Sequence, residues 1–159
     1  MKDKKKEKKK FTIELDEDQM WYLEHACEFM SRITCGQLGF TVQEVCEAAY
    51  EKKEKKKQNT DKTSIGTKEW WEMRHSLEQH LSEIKKLCWG LSDHSSYGIG
   101  YDEKADCYWD MYQVLRHARF NYVFTDEERE KMRHSVMAYK PFKTYSEGEL
   151  MTVKPNEEE

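Results

Sequence analysis

The chain has 159 residues, of which 37% are hydrophobic and 36% charged, and its formal net charge is −4. A chain of that length can form one domain whose hydrophobic core is stable without disulfide bonds or a structural metal ion. The negative charge argues against a general nucleic-acid binder, because such binding depends on lysine and arginine side chains that neutralise phosphates. The apolar residues fall in periodic segments, so we predict one folded domain over residues 11–153.

The charged ends of the chain indicate where the folded domain stops, and the cysteines bear on the cellular compartment. We predict that residues 1–10 form a disordered basic arm and that residues 154–159 form an acidic tail. The five cysteines include no C-x-x-C pair and are odd in number, which indicates neither a zinc site nor a complete disulfide framework. There is no secretory segment and no long apolar span, so we expect a cytoplasmic protein with no membrane, metal or cofactor.

The first predicted elements are a strand and a helix. Residues 11–15 alternate apolar and polar side chains with the period of a strand, and we expect residues 149–153 to pair with them. A broad apolar face then predicts a helix over about residues 17–34, which begins at an aspartate cap and stops before Gly36.

Two more helices are predicted on either side of a polar loop. Residues 41–44, Thr-Val-Gln-Glu, have the form of a capping box that starts a second helix. Residues 58–66 are a predicted mobile loop. A third helix is predicted over about 67–89, because its stripe has the seam spacing of a helical bundle: Trp70, Arg74, Leu77, Leu81, Ile84 and Cys88.

The second half of the chain contains a glycine-rich loop and two further helices. Residues 91–102 combine Ser, His, Tyr and Gly, which suits either a ligand-contacting loop or an ordinary connector. An amphipathic helix is predicted over about 103–120, and Thr125 starts a fifth helix that Pro141 ends. The predicted fold is mainly α, a four- to five-helix bundle with a minor two-stranded β-element.

Polar residues on otherwise apolar stripes are the most informative feature of these helices. Such side chains are costly to bury unless a partner in the fold or a ligand pairs with them. Arg32 runs into the break at Gly36 and a helix begins soon after, which places helix amides beside a guanidinium suited to phosphate or carboxylate. A salt bridge with Glu28 explains the same spacing without any function.

We therefore predict a pocket for a small anionic ligand, with a nucleotide-derived signalling molecule as the favoured candidate. Arginine, histidine and amide side chains would contact its charge or sugar, and tyrosine rings would stack on its base. The residues expected to bind it are Arg32, Gln37, Arg74, Tyr97, Tyr101, Tyr112, Gln113, Arg116 and His117.

Two alternatives to a non-catalytic binding protein stay open. One is a Mg²⁺-dependent all-α nucleotide pyrophosphohydrolase, whose Glu-x-x-Glu and Glu-x-x-Asp spacings are matched by Glu69, Glu72, Glu103 and Asp106. A chain with 31 acidic residues also contains such spacings by chance. The other alternative is a protein-interaction module with no small ligand. Broad apolar faces and many aromatic residues favour a homo-oligomer.

Three short segments carry a resemblance to a group of known proteins. Ser-Arg-Ile-Thr-Cys-Gly-Gln at 31–37, Gly-Ile-Gly at 98–100 and Tyr-Gln-Val-Leu-Arg-His at 112–117 resemble small, mostly helical proteins of unassigned role encoded by bacteriophages. The resemblance covers about residues 11–120 and implies no catalytic residues. It implies a phage counter-defence protein that sequesters a cyclic or ADP-ribose-like nucleotide in the host cell cytoplasm.

Overall fold

The computed structural model of the protein describes residues 11–56 (for 50–56 the backbone only), 68–92, 94–144, 146 and 149–155. The predicted basic arm, the loop at 58–66 and most of the acidic tail lie outside these residues. The prediction of a mainly helical fold is confirmed. The described helices are α1 (Glu17–Thr34), α2 (Gly39–Lys56), α3 (Lys68–Trp89), α4 (Glu103–Tyr122) and α5 (Asp126–Lys131), followed by a 3-10 turn at Val136–Ala138.

The ends of α1 follow from local side-chain chemistry. Asp16 caps the helix by accepting a hydrogen bond from the Gln19 amide at 2.7 Å, and the Gln19 side chain accepts one from the Asp16 amide at 3.1 Å. At the other end Gly36 adopts φ +80°, a left-handed conformation that glycine reaches without strain. Both boundaries agree with the predicted helix over residues 17–34.

The predicted starts of α2 and the predicted length of α5 need correction. Helical hydrogen bonding in α2 begins before Thr41, because the buried Leu38 places its carbonyl 3.3 Å from the Val42 amide. The capping box at Thr125 forms as predicted, but α5 ends at Lys131. Helix α5 has no buried residue, so no core packing favours its continuation beyond Lys131. Further along the chain, the Met137 amide donates a local hydrogen bond to the Ser135 hydroxyl at 3.3 Å.

Neither predicted strand appears among the described residues. The segment 11–15 has no regular structure, and the side chains of Phe11 and Ile13 are largely exposed. At the other end of the chain, Met151 and Val153 pack against the helices instead of pairing with 11–15. Burial against an existing helical core removes more apolar surface from water than an isolated two-stranded ribbon does.

The helices pack as two pairs. The most extensive contact between two helices joins α1 to α4. The two helices run antiparallel, as shown by the hydrogen bond from the Ser31 hydroxyl near the end of α1 to the Ala105 carbonyl near the start of α4. Its core contains Cys27, Tyr112 and Leu115. The second pair, α2 and α3, surrounds a smaller core, and only a small contact joins α1 to α2.

The surface of both pairs retains large apolar side chains. Trp21 and Tyr22 on α1 and Trp71 and Leu87 on α3 are exposed. Such surface suits the self-association expected from the sequence, which stays a prediction. None of the helices in the described part of the chain combines the length and the apolarity needed to cross a bilayer.

Candidate anion-binding site

A cleft of about 360 Å³ opens where the end of α1, the start of α2, the last turns of α3 and the loop after α3 meet. Its wall includes Leu38, Gly39 and Phe40, at the beginning of α2. The cations and polar side chains that line it come from four parts of the chain, namely the end of α1, helix α2, helix α3 and the loop after α3: Arg32, Gln37, Gln43, Lys85, His94, Ser95 and Ser96. Two of the residues predicted to bind a ligand, Arg32 and Gln37, therefore lie together at one cleft.

Arg32 is held in a fixed orientation at the edge of this cleft. Its Nε and Nη2 donate to Glu28 Oε1 at 2.9 and 2.6 Å, and its Nη1 donates to Gln37 Oε1 at 2.9 Å. The guanidinium also lies over the Phe40 ring, 4.9 Å from its centroid. A guanidinium carries more N–H donors than these three contacts use, so the side chain is oriented and still able to donate.

Lys85 reaches the cleft from the opposite helix pair. Its side chain is only 5% exposed, and a Cβ built at Gly36 would lie 4.0 Å from Lys85 Cε and 3.0 Å from Leu91 Cδ1. The glycine thus permits the end of α3 to approach the end of α1 closely. Lys85 therefore contributes a second basic side chain to the wall of the cleft that Arg32 also lines.

The first turn of α2 adds hydrogen-bond donors to the same cleft. The amides at the start of a helix have no acceptor within it, and the helix dipole gives them a partial positive charge. No acidic residue occupies the first turn of α2 to neutralise that charge. Gly39 lines the cleft, and a Cβ built at this position would have no heavy atom within 4 Å.

The loop after α3 forms the remaining wall and is tied to α1. The Tyr97 amide donates to the Cys35 carbonyl at 3.0 Å, and the Tyr97 hydroxyl donates to the Trp89 carbonyl at 2.8 Å. Gln37 Nε2 approaches Ser96 Oγ at 3.4 Å across the cleft. The sequence left open whether residues 91–102 contact a ligand or only connect two helices, and the structure places His94, Ser95 and Ser96 of this loop in the lining of the cleft.

The polar stripe of α4 has a different partner from the one predicted. Gln113 donates through Nε2 to the Phe142 carbonyl at 3.0 Å and accepts through Oε1 from the Phe142 amide at 3.3 Å. Asp110 accepts from the Thr144 amide at 3.1 Å and from the Ser146 hydroxyl. The expected pocket wall is therefore a clamp for the chain's own C-terminal segment, whose backbone supplies the donors and acceptors that a ligand was expected to supply.

Three further predicted ligand contacts on α4 also lie away from the cleft. Tyr112 is a buried core residue, and burial raises the pKa of its hydroxyl. Arg116 is buried, donates to the Tyr139 carbonyl at 3.4 Å, and lies over the Tyr112 ring. His117 stacks near Phe120, with its Nδ1 buried and unbonded in the described structure. None of these three side chains lines the cleft beside Arg32.

Arg74, on α3, is the remaining predicted arginine that does not contribute to the cleft. It donates to Glu78 Oε1 at 2.9 Å, one helical turn away, and lies over the Trp70 and Trp71 rings. The three arginines named by the sequence analysis therefore occupy three separate environments. The convergence of positive side chains occurs instead between Arg32 and Lys85.

A buried ion pair between α1 and α4 was missed by the sequence analysis. Glu24 Oε2 lies 2.9 Å from Arg119 Nη1, although the two groups are not aligned as a hydrogen bond. Burial raises the pKa of Glu24, and the positive charge of Arg119 only partly opposes that effect. The position of Glu24 on the broad apolar face of α1 was the available signal, since a carboxylate there requires a cation from the facing helix.

Lys85 was also missed, together with the three polar residues of the loop. Lys85 follows Leu81 by four residues and so continues the inward stripe of α3, whereas its neighbour Lys86 is exposed. That spacing identifies which of the two adjacent lysines faces the core. The loop residues have no periodicity that could have marked them individually.

The four carboxylates of the predicted hydrolase are not brought together. Glu72 pairs on the surface with Lys68 at 3.5 Å, whereas Asp106 is buried and accepts from the Gly100 amide at 2.7 Å. Glu69 and Glu103 are exposed on separate helices, and α3 and α4 share no substantial interface. The described residues contain no group of three or more His, Cys, Asp or Glu side chains arranged to hold a metal ion.

Comparison with models of known protein families, with curated protein sequences and with solved structures finds no match.

Proposed function

We propose that the protein is a non-catalytic binding protein that captures a small anion of the phosphate class in the cleft beside Arg32. One observation carries the proposal: an open cleft brings Arg32 of α1 and the buried Lys85 of α3 to the acid-free first turn of α2. Cations from two helices together with the amides at the start of a third helix form an arrangement that binds phosphate oxygens in proteins.

The pairing of Arg32 with Glu28 is compatible with this role. A carboxylate that holds one edge of a guanidinium reduces its net charge but fixes its direction, so less side-chain entropy is lost when a ligand binds. Glu28 offsets part of the positive charge of Arg32. In the proposed site, Lys85 and the α2 amides compensate for that loss. The proposed biological setting is the one that the phage resemblance implies, in which capture withdraws a signal from the host's defence.

Calorimetric titration with inorganic pyrophosphate tests the proposal. We expect the unmodified protein to bind pyrophosphate without Mg²⁺, and we expect Lys85→Met to weaken binding by about tenfold or more, because a charge-assisted hydrogen bond is lost. Ser96→Ala changes an exposed cleft residue and gives a second variant that folds whether or not the buried lysine is needed for stability.

Arg32→Gln and Arg74→Gln form a matched pair for the same titration. The two arginine side chains are 31% and 28% exposed, each pairs with a glutamate one turn away, and each lies over an aromatic ring. Binding should weaken in Arg32→Gln and stay unchanged in Arg74→Gln. Equal affinities in all variants, or no heat of binding in the unmodified protein, would refute the proposal; release of orthophosphate with Mg²⁺ would indicate hydrolysis instead.

A further inference from the structure

Two stacked tyrosines lie beside the cleft and have no part in anion capture as proposed above. The rings of Tyr97 and Tyr101 are 3.8 Å apart between centroids and inclined by only 8°. Tyr97 is the inner ring, fixed at its amide by Cys35 and at its hydroxyl by Trp89. Tyr101 is the outer ring and is 65% exposed.

The loop that joins the two rings is built to hold this stack. Gly98 and Gly100 adopt φ values of 74° and 90°, which return the chain sharply enough to place one ring over the other. The Gly100 amide donates to Asp106 Oδ1 at 2.7 Å, and Asp106 is almost fully buried in α4. A buried carboxylate thus anchors the loop, so the stack is ordered before any ligand arrives.

The stack is continuous with the wall of the cleft. Tyr97 directly follows Ser96, which lines the cleft, and adjacent Cα atoms are about 3.8 Å apart. Its amide bonds to Cys35 on the same turn that carries Gln37. The stacked tyrosines therefore belong to the same loop that forms one wall of the cleft.

We propose that the outer face of Tyr101 stacks the base of a nucleoside phosphate whose phosphate group lies in the cleft. This inference rests on the proposed function and assigns the ligand class. Aromatic side chains stack any nucleobase because every base has a π-face, whereas the neighbouring cations select phosphorylated ligands. A phosphate ion fills only the cleft; a nucleotide uses the cleft and the ring.

Titration with ADP, inorganic pyrophosphate and adenosine separates the two parts of the site. We expect ADP to bind about tenfold more tightly than pyrophosphate, because base stacking adds to phosphate contact, and adenosine to bind most weakly. Tyr101→Ala should reduce the ADP affinity to that of pyrophosphate and leave the pyrophosphate affinity unchanged. Tyr101→Phe, which keeps the ring, should retain tight ADP binding.

Tyr22→Ala is the matched control, because Tyr22 is also 65% exposed but lies near the start of α1. It should bind ADP like the unmodified protein. If ADP and pyrophosphate bind equally and Tyr101→Ala changes neither, the stacking inference is overturned while the anion site stands. If neither compound binds, both proposals fail.

Discussion

The two helix pairs differ in the partners of their polar side chains. Between α1 and α4, polar groups are buried: Glu24 meets Arg119, and Gln113 and Asp110 bind the backbone of the C-terminal segment. Between α2 and α3, the buried core is formed by Val42, Cys46 and Trp70 with partly buried apolar neighbours. On α3, Arg74 pairs with Glu78 one turn away, and both side chains are partly exposed.

The difference shows that a polar residue on an apolar stripe has at least three outcomes. On α4 it is satisfied by another part of the same chain. At Arg74 on α3 it is satisfied by the next turn of its own helix. Where the two pairs meet, Arg32 and Lys85 line an open cleft that has room for a ligand.

The largest expected effect on stability comes from truncating a buried side chain of the α1–α4 core, compared with an exposed side chain of α3. Leu115, in the α1–α4 core, is 1% exposed, and Leu87 on α3 is 86% exposed. Leu115→Ala should lower the free energy of unfolding by about 3 kcal/mol, since it leaves a cavity. Leu87→Ala should change it by less than about 0.5 kcal/mol. Urea unfolding measures both, and similar losses would contradict the packing described here.

Removing the clamp on the C-terminal segment should have a smaller, localised effect. Gln113→Ala removes both hydrogen bonds to Phe142 and should cost about 1–2 kcal/mol. Hydrogen exchange should show faster exchange at the Phe142 amide. Gln79→Ala is the control, because Gln79 is exposed on α3 and bonds only to His75 in the described structure. Unchanged protection in the Gln113 variant would show that the segment is held by its other contacts.

The buried carboxylate of α1 predicts a pH dependence of stability. Burial raises the pKa of Glu24 above its ordinary value of 4.5, so the folded state holds this proton more tightly than the unfolded state. The stabilising contribution is complete below pH 4.5 and is lost as pH rises through the higher folded-state pKa. Glu24→Gln should therefore gain stability relative to the unmodified protein across this interval, as measured by urea unfolding.

Glu128 provides a comparison of opposite sign for that measurement. Hydrogen bonds from Thr125 lower the pKa of Glu128, so its contribution is present above pH 4.5 and is lost as pH falls through the lower folded-state pKa. Glu128→Gln should lose stability relative to the unmodified protein as pH rises. Slopes of the same sign in the two variants would contradict these assignments.

The smallest expected effect concerns the surface of the α2–α3 pair. Arg74 and Glu78 form an ion pair one turn apart, with both side chains partly exposed. A double-mutant cycle with Arg74→Gln and Glu78→Gln should give a coupling free energy below about 0.5 kcal/mol, measured by urea unfolding. A coupling free energy as large as the loss of stability in Gln113→Ala would mean that this surface ion pair stabilises the protein as much as the buried hydrogen bonds of Gln113 do.

Most of the helical segments could be predicted from the sequence, but their partners could not. The limits of α1 follow from Asp16 and Gly36, whose effects act within a few residues. The start of α2 could not be placed, because it depends on the burial of Leu38 by distant parts of the chain. Of the residues that line the cleft, the sequence analysis named Arg32 and Gln37, and it also named Tyr97 and Tyr101 in the loop after α3, but it did not name Lys85.

The amino-acid sequence alone determined that this protein is helical, where α1 begins and ends, and that several polar side chains require partners, because capping, periodicity and burial cost are local properties. Tertiary structure decided which partner each one has. Gln113 and Asp110 meet the C-terminal segment and Arg119 meets Glu24, whereas Arg32 and Lys85 meet across a cleft. These pairings depend on contacts between residues far apart in the chain. The spacing of residues within one helix does not indicate which other helix packs against it.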